Sequence, residues 1–133
     1  MAETLIIRNT QAPGDYIVLS AAIRDILRAY PGRYDAYVHV RQPDVYRHNP
    51  HVKINNRRKG KQVVAKYNDK RARFGIHKSN QLKAHFMWGM LAGLNHSLGL
   101  NAHLTEFKPD LHLTPAEMAT PILNLDKPYW VFV

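Results

Sequence analysis

Asp15 is the residue whose neighbours best equip it for chemistry. It closes a short loop in LIIRNTQAPGDYIVLSAAIRDILRAYPG (residues 5–32), between an apolar run and an amphipathic stretch. A carboxylate at the start of a helix has its charged form favoured by the helix dipole. It is then available to take a proton from a hydroxyl. The same residue has a plain structural reading as helix N-cap, a role that stabilises by about 1 kcal/mol. The two roles are compatible. Arg8, at the end of the apolar run, carries the charge to hold a phosphate or carboxylate, or to enter a salt bridge. Thr10, Gln11 and Gly14 complete a loop whose backbone N–H groups, at a helix start, favour anions. Gly14 is the loop's one glycine. Neither G-x-G-x-x-G nor G-x-x-x-x-G-K-[ST] is present, which argues against dinucleotide and P-loop chemistry.

Other chemistries find less support. There are eight histidines, but His48 and His51 flank Asn-Pro and no pair has i, i+4 spacing on a helix beside a carboxylate. No metal is expected. The absence of cysteine excludes a disulfide scaffold and is compatible with a reducing cytoplasm. Ser20, Ser79 and Ser97 lack the strand–turn–helix context of a nucleophile elbow. Trp88 and the methionines near it read as core.

The elements that must position the loop follow from apolar spacing. Leu5-Ile6-Ile7 is a continuous apolar run, as in a buried parallel strand. Leu19, Ile23, Ile26/Leu27 and Tyr30 recur at helical spacing, with Ser20, Arg24, Asp25 and Arg28 on the other side, and Tyr30-Pro31-Gly32 stops the helix. Tyr34–Val40 alternates as a second strand. Strand, helix and strand in this order form a βαβ unit, which implies a parallel sheet and an α/β fold. Gln42–Asn49 predicts a short helix, Val52–Ile54 and Gln62–Tyr67 two more strands, and residues 68–80 a loop. Asn80–Leu98 predicts the second long helix, with an apolar stripe at Phe86/Met87, Met90/Leu91, Leu94 and Leu98 and Gly99 as its cap. Near Pro115–Leu123 a short helix is expected, with Thr114 as N-cap and Glu117 closing a capping box. The chain ends on a strand-like run, Tyr129–Val133, after a proline-rich connector.

Charge is concentrated. The formal net charge is +9. Between Lys53 and Lys83 eleven Lys/Arg face one acid, a net of +10, while the remainder, with eight basic and nine acidic residues, carries −1. The patch centres on Arg57, Arg58, Lys59, Lys61, Lys70, Arg71 and Arg73. Such a block attracts nucleic acid, anionic headgroups or phosphorylated sugars, or is a solvated face.

LIIRNTQAPGDYIVLSAAIRDILRAYPG, followed by HNPHV (residues 48–52), resembles the N-terminal domain of the heptosyltransferase-like glycosyltransferases (glycosyltransferase family 9). Those proteins open with a strand, a basic residue, a small-polar loop ending in Gly-Asp, and a helix ending near Tyr-Pro. A second strand and an Asn-Pro-His/Tyr-Val element follow. GIHKSNQ, HFMWGMLAGLNHSLGL, KPDLHLTPAE and KPYWVFV look like the same domain's last helix and its exit. The resemblance implies half of a GT-B fold: residues 1–126 as a Rossmann-like acceptor-binding domain, and 127–133 as a linker and the first strand of a nucleotide-sugar domain.

It further implies an inverting, metal-independent transfer of a heptose-like sugar from a nucleotide-diphosphate donor to a glycan acceptor, and no cofactor. Carried over, Asp15 is the base, Arg8 the family's basic residue, and Thr10 and Gln11 part of its polar loop; NTQAPGD is slightly longer than the family's loop and contains Pro13. The chain alone is then expected to be inactive, with the C-terminal donor domain supplied in cis or in trans. Family acceptors are often phosphorylated lipopolysaccharide core sugars, so the basic block would suit such an anion or an anionic membrane surface. A cytoplasmic protein, peripheral to the inner membrane, is expected on this reading. The alternative is a small, non-catalytic basic module for nucleic acid or another polyanion. Apart from Tyr67 and Phe74, the block lacks the interleaved aromatics that single-strand binding uses. A third reading is a partner-binding remnant without catalysis.

Overall fold

In the computed structural model residues 1–55, 59–69 and 85–121 are described. The run Tyr129–Val133 and, of the basic patch, Arg57, Arg58, Lys70, Arg71 and Arg73 lie outside the described residues. The elements are β1 (Glu3–Arg8), α1 (Pro13–Ala29), β2 (Tyr34–His39), a 3-10 turn (Pro43–Tyr46), β3 (Val52–Ile54), β4 (Lys61–Val64), α2 (Phe86–Leu98) and α3 (Pro115–Ala119). The strands form a four-stranded sheet in the order β3-β2-β1-β4, and every pairing is parallel. This is the Rossmann-like α/β arrangement expected from the βαβ pattern.

The central strand reads as it packs. Leu5, Ile6 and Ile7 are all buried, each contributing about 1.5–3 kcal/mol of apolar transfer. Leu5 and Ile7 share one core with Val38, Val52 and Val63 of the neighbouring strands. Tyr16, Leu19, Ile23 and Ile26 of α1 and Met90, Leu91, Leu94 and Leu98 of α2 close it from the helix side. Tyr46 is anchored under the sheet's end by its hydroxyl, which donates to the Tyr16 carbonyl at 2.7 Å. Burial raises its phenol pKa well beyond the ordinary range, so it remains a donor.

Ser20, Arg24 and Asp25 lie on the side of α1 away from its apolar stripe, as expected, yet they are buried. The segment after α2 runs back along α1 and covers them: Thr105, Glu106, Lys108 and Asp110 all bond to these side chains. Helix α1 is thus sandwiched, with apolar residues toward the sheet and a polar network on its outer side.

Helix α2 begins at Phe86 rather than Asn80. His85 is extended and its Nδ1 accepts from the Met87 N–H at 3.2 Å, which caps the helix; residues 80–84 lie outside the described residues. At the other end Gly99 adopts φ +64°, the left-handed cap that glycine adopts without strain. Gly93 serves a different need, because an added Cβ would lie 2.7 Å from the Lys66 carbonyl oxygen. Overpacking costs about 1–3 kcal/mol, more than the roughly 1 kcal/mol of helix propensity that Ala gains over Gly. Gly93→Ala is therefore expected to lower the thermal midpoint, and an unchanged midpoint would mean that α2 moves off the strand end without cost.

The capping box of α3 forms as read. Thr114 Oγ1 accepts from the Glu117 N–H at 3.2 Å, and Glu117 Oε2 accepts from the Thr114 N–H at 2.8 Å. The helix ends at Ala119, short of Leu123, because Thr120 precedes Pro121 and that position disfavours the helical region. The expected helix over 42–49 is reduced to one 3-10 turn, and the fourth strand stops at Val64.

Candidate functional site

The strand order puts β1 between β2 and β4. The chain leaves β1 through α1 toward β2, whereas β4 lies on the opposite side. Such a switch point opens a crevice at the carboxyl ends of the strands, where α/β sheets bind ligands. The loop from Asn9 to Ala12 occupies this place.

Asn9 builds the loop. It is 1% exposed, and its Oδ1 accepts from the Gln11 N–H at 2.7 Å, an Asx turn. Its amide group reaches Gln11 Oε1 at 3.4 Å and the Met90 sulfur of α2 at 3.9 Å. Its backbone N–H continues the ladder to the His39 carbonyl at 3.3 Å. Tyr16 Oη then donates to the Gln11 carbonyl at 3.0 Å. Nothing in the sequence analysis singled out Asn9; its signal was an Asn directly after a buried strand, a common start for a turn.

Asp15 is not the N-cap. Ala12 holds that position, with extended dihedrals, and Asp15 is third in the helix. The Ala12 N–H donates to Asp15 Oδ2 at 2.9 Å. Alanine has no acceptor to return the bond, so only the carboxylate half of a capping box is made. The Asp15 N–H instead bonds the Ala12 carbonyl at 2.9 Å. The half-buried carboxylate therefore keeps Oδ1 without a hydrogen bond among the described residues. It also supplies the helix with its own anion. Pro13 has no N–H, and two of the local donors are engaged, so this N-terminus has less to offer a second anion than the loop pattern implied.

The other site residues spread out. Gln11 belongs to the Asx turn beside Asp15. Thr10 is exposed. Gly14 has open space where a Cβ would stand, so neither sterics nor backbone conformation demands glycine there. Arg8 is exposed and its Nη1 donates to Gln62 Oε1 at 3.3 Å. Alternation along β1 puts it on the face opposite Leu5 and Ile7. It pairs in register with His39 and Val64, and among the described residues no acidic group neutralises it. His39 Nδ1 lies 3.4 Å from Asn55 Nδ2, giving Arg8, His39, Asn55 and Gln62 as a polar set along this edge. No hydrogen bond or ion pair joins Arg8 to Asp15 among the described residues.

Of the basic patch, Lys59 and Lys61 are described. Lys61 begins β4 and pairs with Leu5, three positions before Val64, or about 10 Å down the strand at 3.3 Å per residue. These two cations sit toward the amino edge of the sheet, away from the loop.

A second charged group was missed altogether. Arg24 Nε and Nη2 bond both oxygens of Asp25 at 3.0 and 3.1 Å, and Nη1 and Nη2 donate to the carbonyls of Lys108 and Glu106 at 2.7 and 3.1 Å. Thr105 donates to Asp25 through its N–H at 2.9 Å and its hydroxyl at 2.7 Å. Burial pushes the Asp25 carboxyl up, but the bonds from Arg24 and Thr105 outweigh it and hold the pKa below the ordinary carboxylate range. The bond to Asp25 in turn raises Arg24. Every strong partner is internal, so this is a structural clamp with no room for substrate.

Among the described residues no three His, Asp or Glu side chains come together as metal ligands, and no helix is long and apolar enough to cross a membrane. No protein-family model, curated protein or solved structure matches the chain.

Proposed function

We propose that the chain holds the acceptor in an inverting, metal-independent glycosyl transfer, with Asp15 as the base. The observation that carries this reading is the asymmetry of the Asp15 carboxylate: Oδ2 is tethered by the Ala12 N–H, while Oδ1, at the carboxyl end of the sheet, has no hydrogen bond among the described residues. A tethered carboxylate with one free oxygen can receive the proton of an acceptor hydroxyl without reorienting. The resemblance of the strand–loop–helix segment to heptosyltransferase-like proteins supplies the reaction class. In that reaction the deprotonated hydroxyl oxygen attacks the anomeric carbon from the face opposite the nucleotide diphosphate. The new glycosidic bond forms as the bond to the leaving phosphate oxygen breaks, and configuration inverts. The donor would bind a C-terminal domain, in cis or in trans. Arg8, lacking an acidic partner among the described residues, is the natural counter-ion for a phosphate on the acceptor.

Titration of the 15N-labelled chain with glucose 6-phosphate tests the acceptor half of this reading. The expected result is a shift of the Asn9–Asp15 amides and of the Arg8 side chain, weakened about tenfold or more by Arg8→Ala. Binding of single-stranded DNA instead, with shifts confined to the Lys59–Lys61 region and a steep fall with salt, would replace the acceptor reading with the polyanion module.

A further inference from the structure

Helix α2 has a second face that its core stripe leaves over. Trp88, Ala92 and Asn95 fall at i, i+4 and i+7, beside the buried line of Met87, Met90, Leu91 and Leu94. Trp88 is 47% exposed, not a core residue as its apolar context predicts. Phe107 is 62% exposed; its ring runs 12° from parallel to Trp88 with centroids 6.4 Å apart. His85 meets Phe107 edge-on at 5.5 Å. Three rings from two segments thus gather at the surface.

Next to Trp88 a cavity of about 350 Å³ opens between α2 and residues 101–104, at the lower end of the roughly 300–1,000 Å³ of small-ligand sites. The cavity is pre-formed. Gly99 turns the chain out of α2, and the Asn95 side chain then clamps Ala102 through both of its backbone groups, at 2.9 and 3.0 Å. Asn101 is fixed by its N–H, which donates to the Tyr30 hydroxyl at 3.0 Å. The exposed Asn101 amide and His103 ring make no side-chain hydrogen bond among the described residues. The eight lining residues include no Asp, Glu, Lys or Arg, although the whole chain carries +9.

We infer that this groove is a binding site for a neutral sugar ring, which would stack one face on Trp88 and direct its hydroxyls to Asn101 and His103. The lining selects this class by three properties together. A flat indole face accepts the axial C–H surface of a pyranose, as it does other apolar faces. The amide and imidazole at the rim supply donors and acceptors for hydroxyls. A lining without Asp, Glu, Lys or Arg offers no permanent counter-ion to a phosphate, carboxylate or ammonium. The site shares no residue with the Asn9–Asp15 loop and does not depend on the transferase reading.

The test is an NMR titration of the 15N-labelled full chain with methyl glucoside, methyl mannoside, methyl galactoside and maltose. At least one is expected to bind with a millimolar Kd and to shift the Trp88 indole N–H, the Asn101 side-chain amide and the backbone of residues 102–103. Trp88→Ala, at a half-exposed position, should weaken that binding tenfold or more. Ala92→Leu should block it by filling the groove while leaving Trp88 in place. Asp15→Asn should leave it unchanged, so this site and the transferase reading fail separately. The inference is overturned if no sugar shifts these resonances at 100 mM, if indole binds and no sugar does, or if both groove variants bind as the parent does.

Discussion

Replacing Asp25 by Ala is expected to destabilise the fold by about 3–5 kcal/mol, the cost of breaking a buried ion pair by removing one partner. Arg24 is only 4% exposed, and without Asp25 its guanidinium would keep two carbonyl acceptors but lose its counter-charge. The Thr105 N–H and hydroxyl would lose their acceptor as well. A folded domain has about 5–15 kcal/mol in total, so the loss would be visible as a large drop in the urea midpoint at pH 7. The sign of the pH dependence follows from the lowered Asp25 pKa. A carboxylate whose folded pKa is depressed stabilises above its unfolded value, near 3.9, and that contribution fades as pH falls through the folded pKa. The gap between parent and Asp25→Ala should therefore be widest near neutrality and narrow below about pH 4. A gap under about 1 kcal/mol at pH 7 would put the clamp in the class of surface pairs and remove it as the reason why residues 105–110 lie on α1.

The contrast between what was legible and what was not has a physical pattern. Leu5–Ile7, the α1 stripe, Gly99 and the Thr114–Glu117 box all encode their roles locally, within one strand, helix turn or cap, and each formed as read. Ser20, Arg24 and Asp25 look like a solvent face because amphipathicity assumes that one helix side meets water. Here a distant segment covers that side, more than seventy residues away in sequence, and satisfies it with the Thr105 hydroxyl and with backbone groups that leave no compositional trace. Trp88 failed for the complementary reason. Its apolar type suggested core, yet its helical angle sets it beside the Met87–Met90–Leu94 line, and angle outweighs type when the stripe is already filled. At the loop, Asp15 was found but stands three positions inside the helix and not at its N-cap, because Ala12 and Pro13 start the helix earlier than a side-chain cap would. Asn9, whose function is to hold backbone, carried no chemistry that would draw attention to it.

On the proposed transferase reading, Asp15→Asn is expected to cut sugar transfer by about 10²–10⁴-fold, the usual worth of a positioned general base, when the donor-binding half is supplied in cis or in trans. The substitution separates the contact that the carboxylate makes with the Ala12 N–H from its proposed role as base. An asparagine oxygen can still accept from the Ala12 N–H, so the start of α1 and the midpoint of unfolding should change little. What it cannot do is take a proton from the acceptor hydroxyl. Asp15→Ala removes both roles and should add a stability loss of about 1 kcal/mol, as for other N-terminal capping contacts. The diagnostic outcome is therefore a split: Asn as inactive as Ala in transfer, but close to the parent in stability and in acceptor binding. Equal transfer rates for parent and Asn variant would leave Asp15 as the anion that completes its own helix, and the base would have to be sought elsewhere on the carboxyl edge, where His39 beside Arg8 is the next titratable group in register with β1.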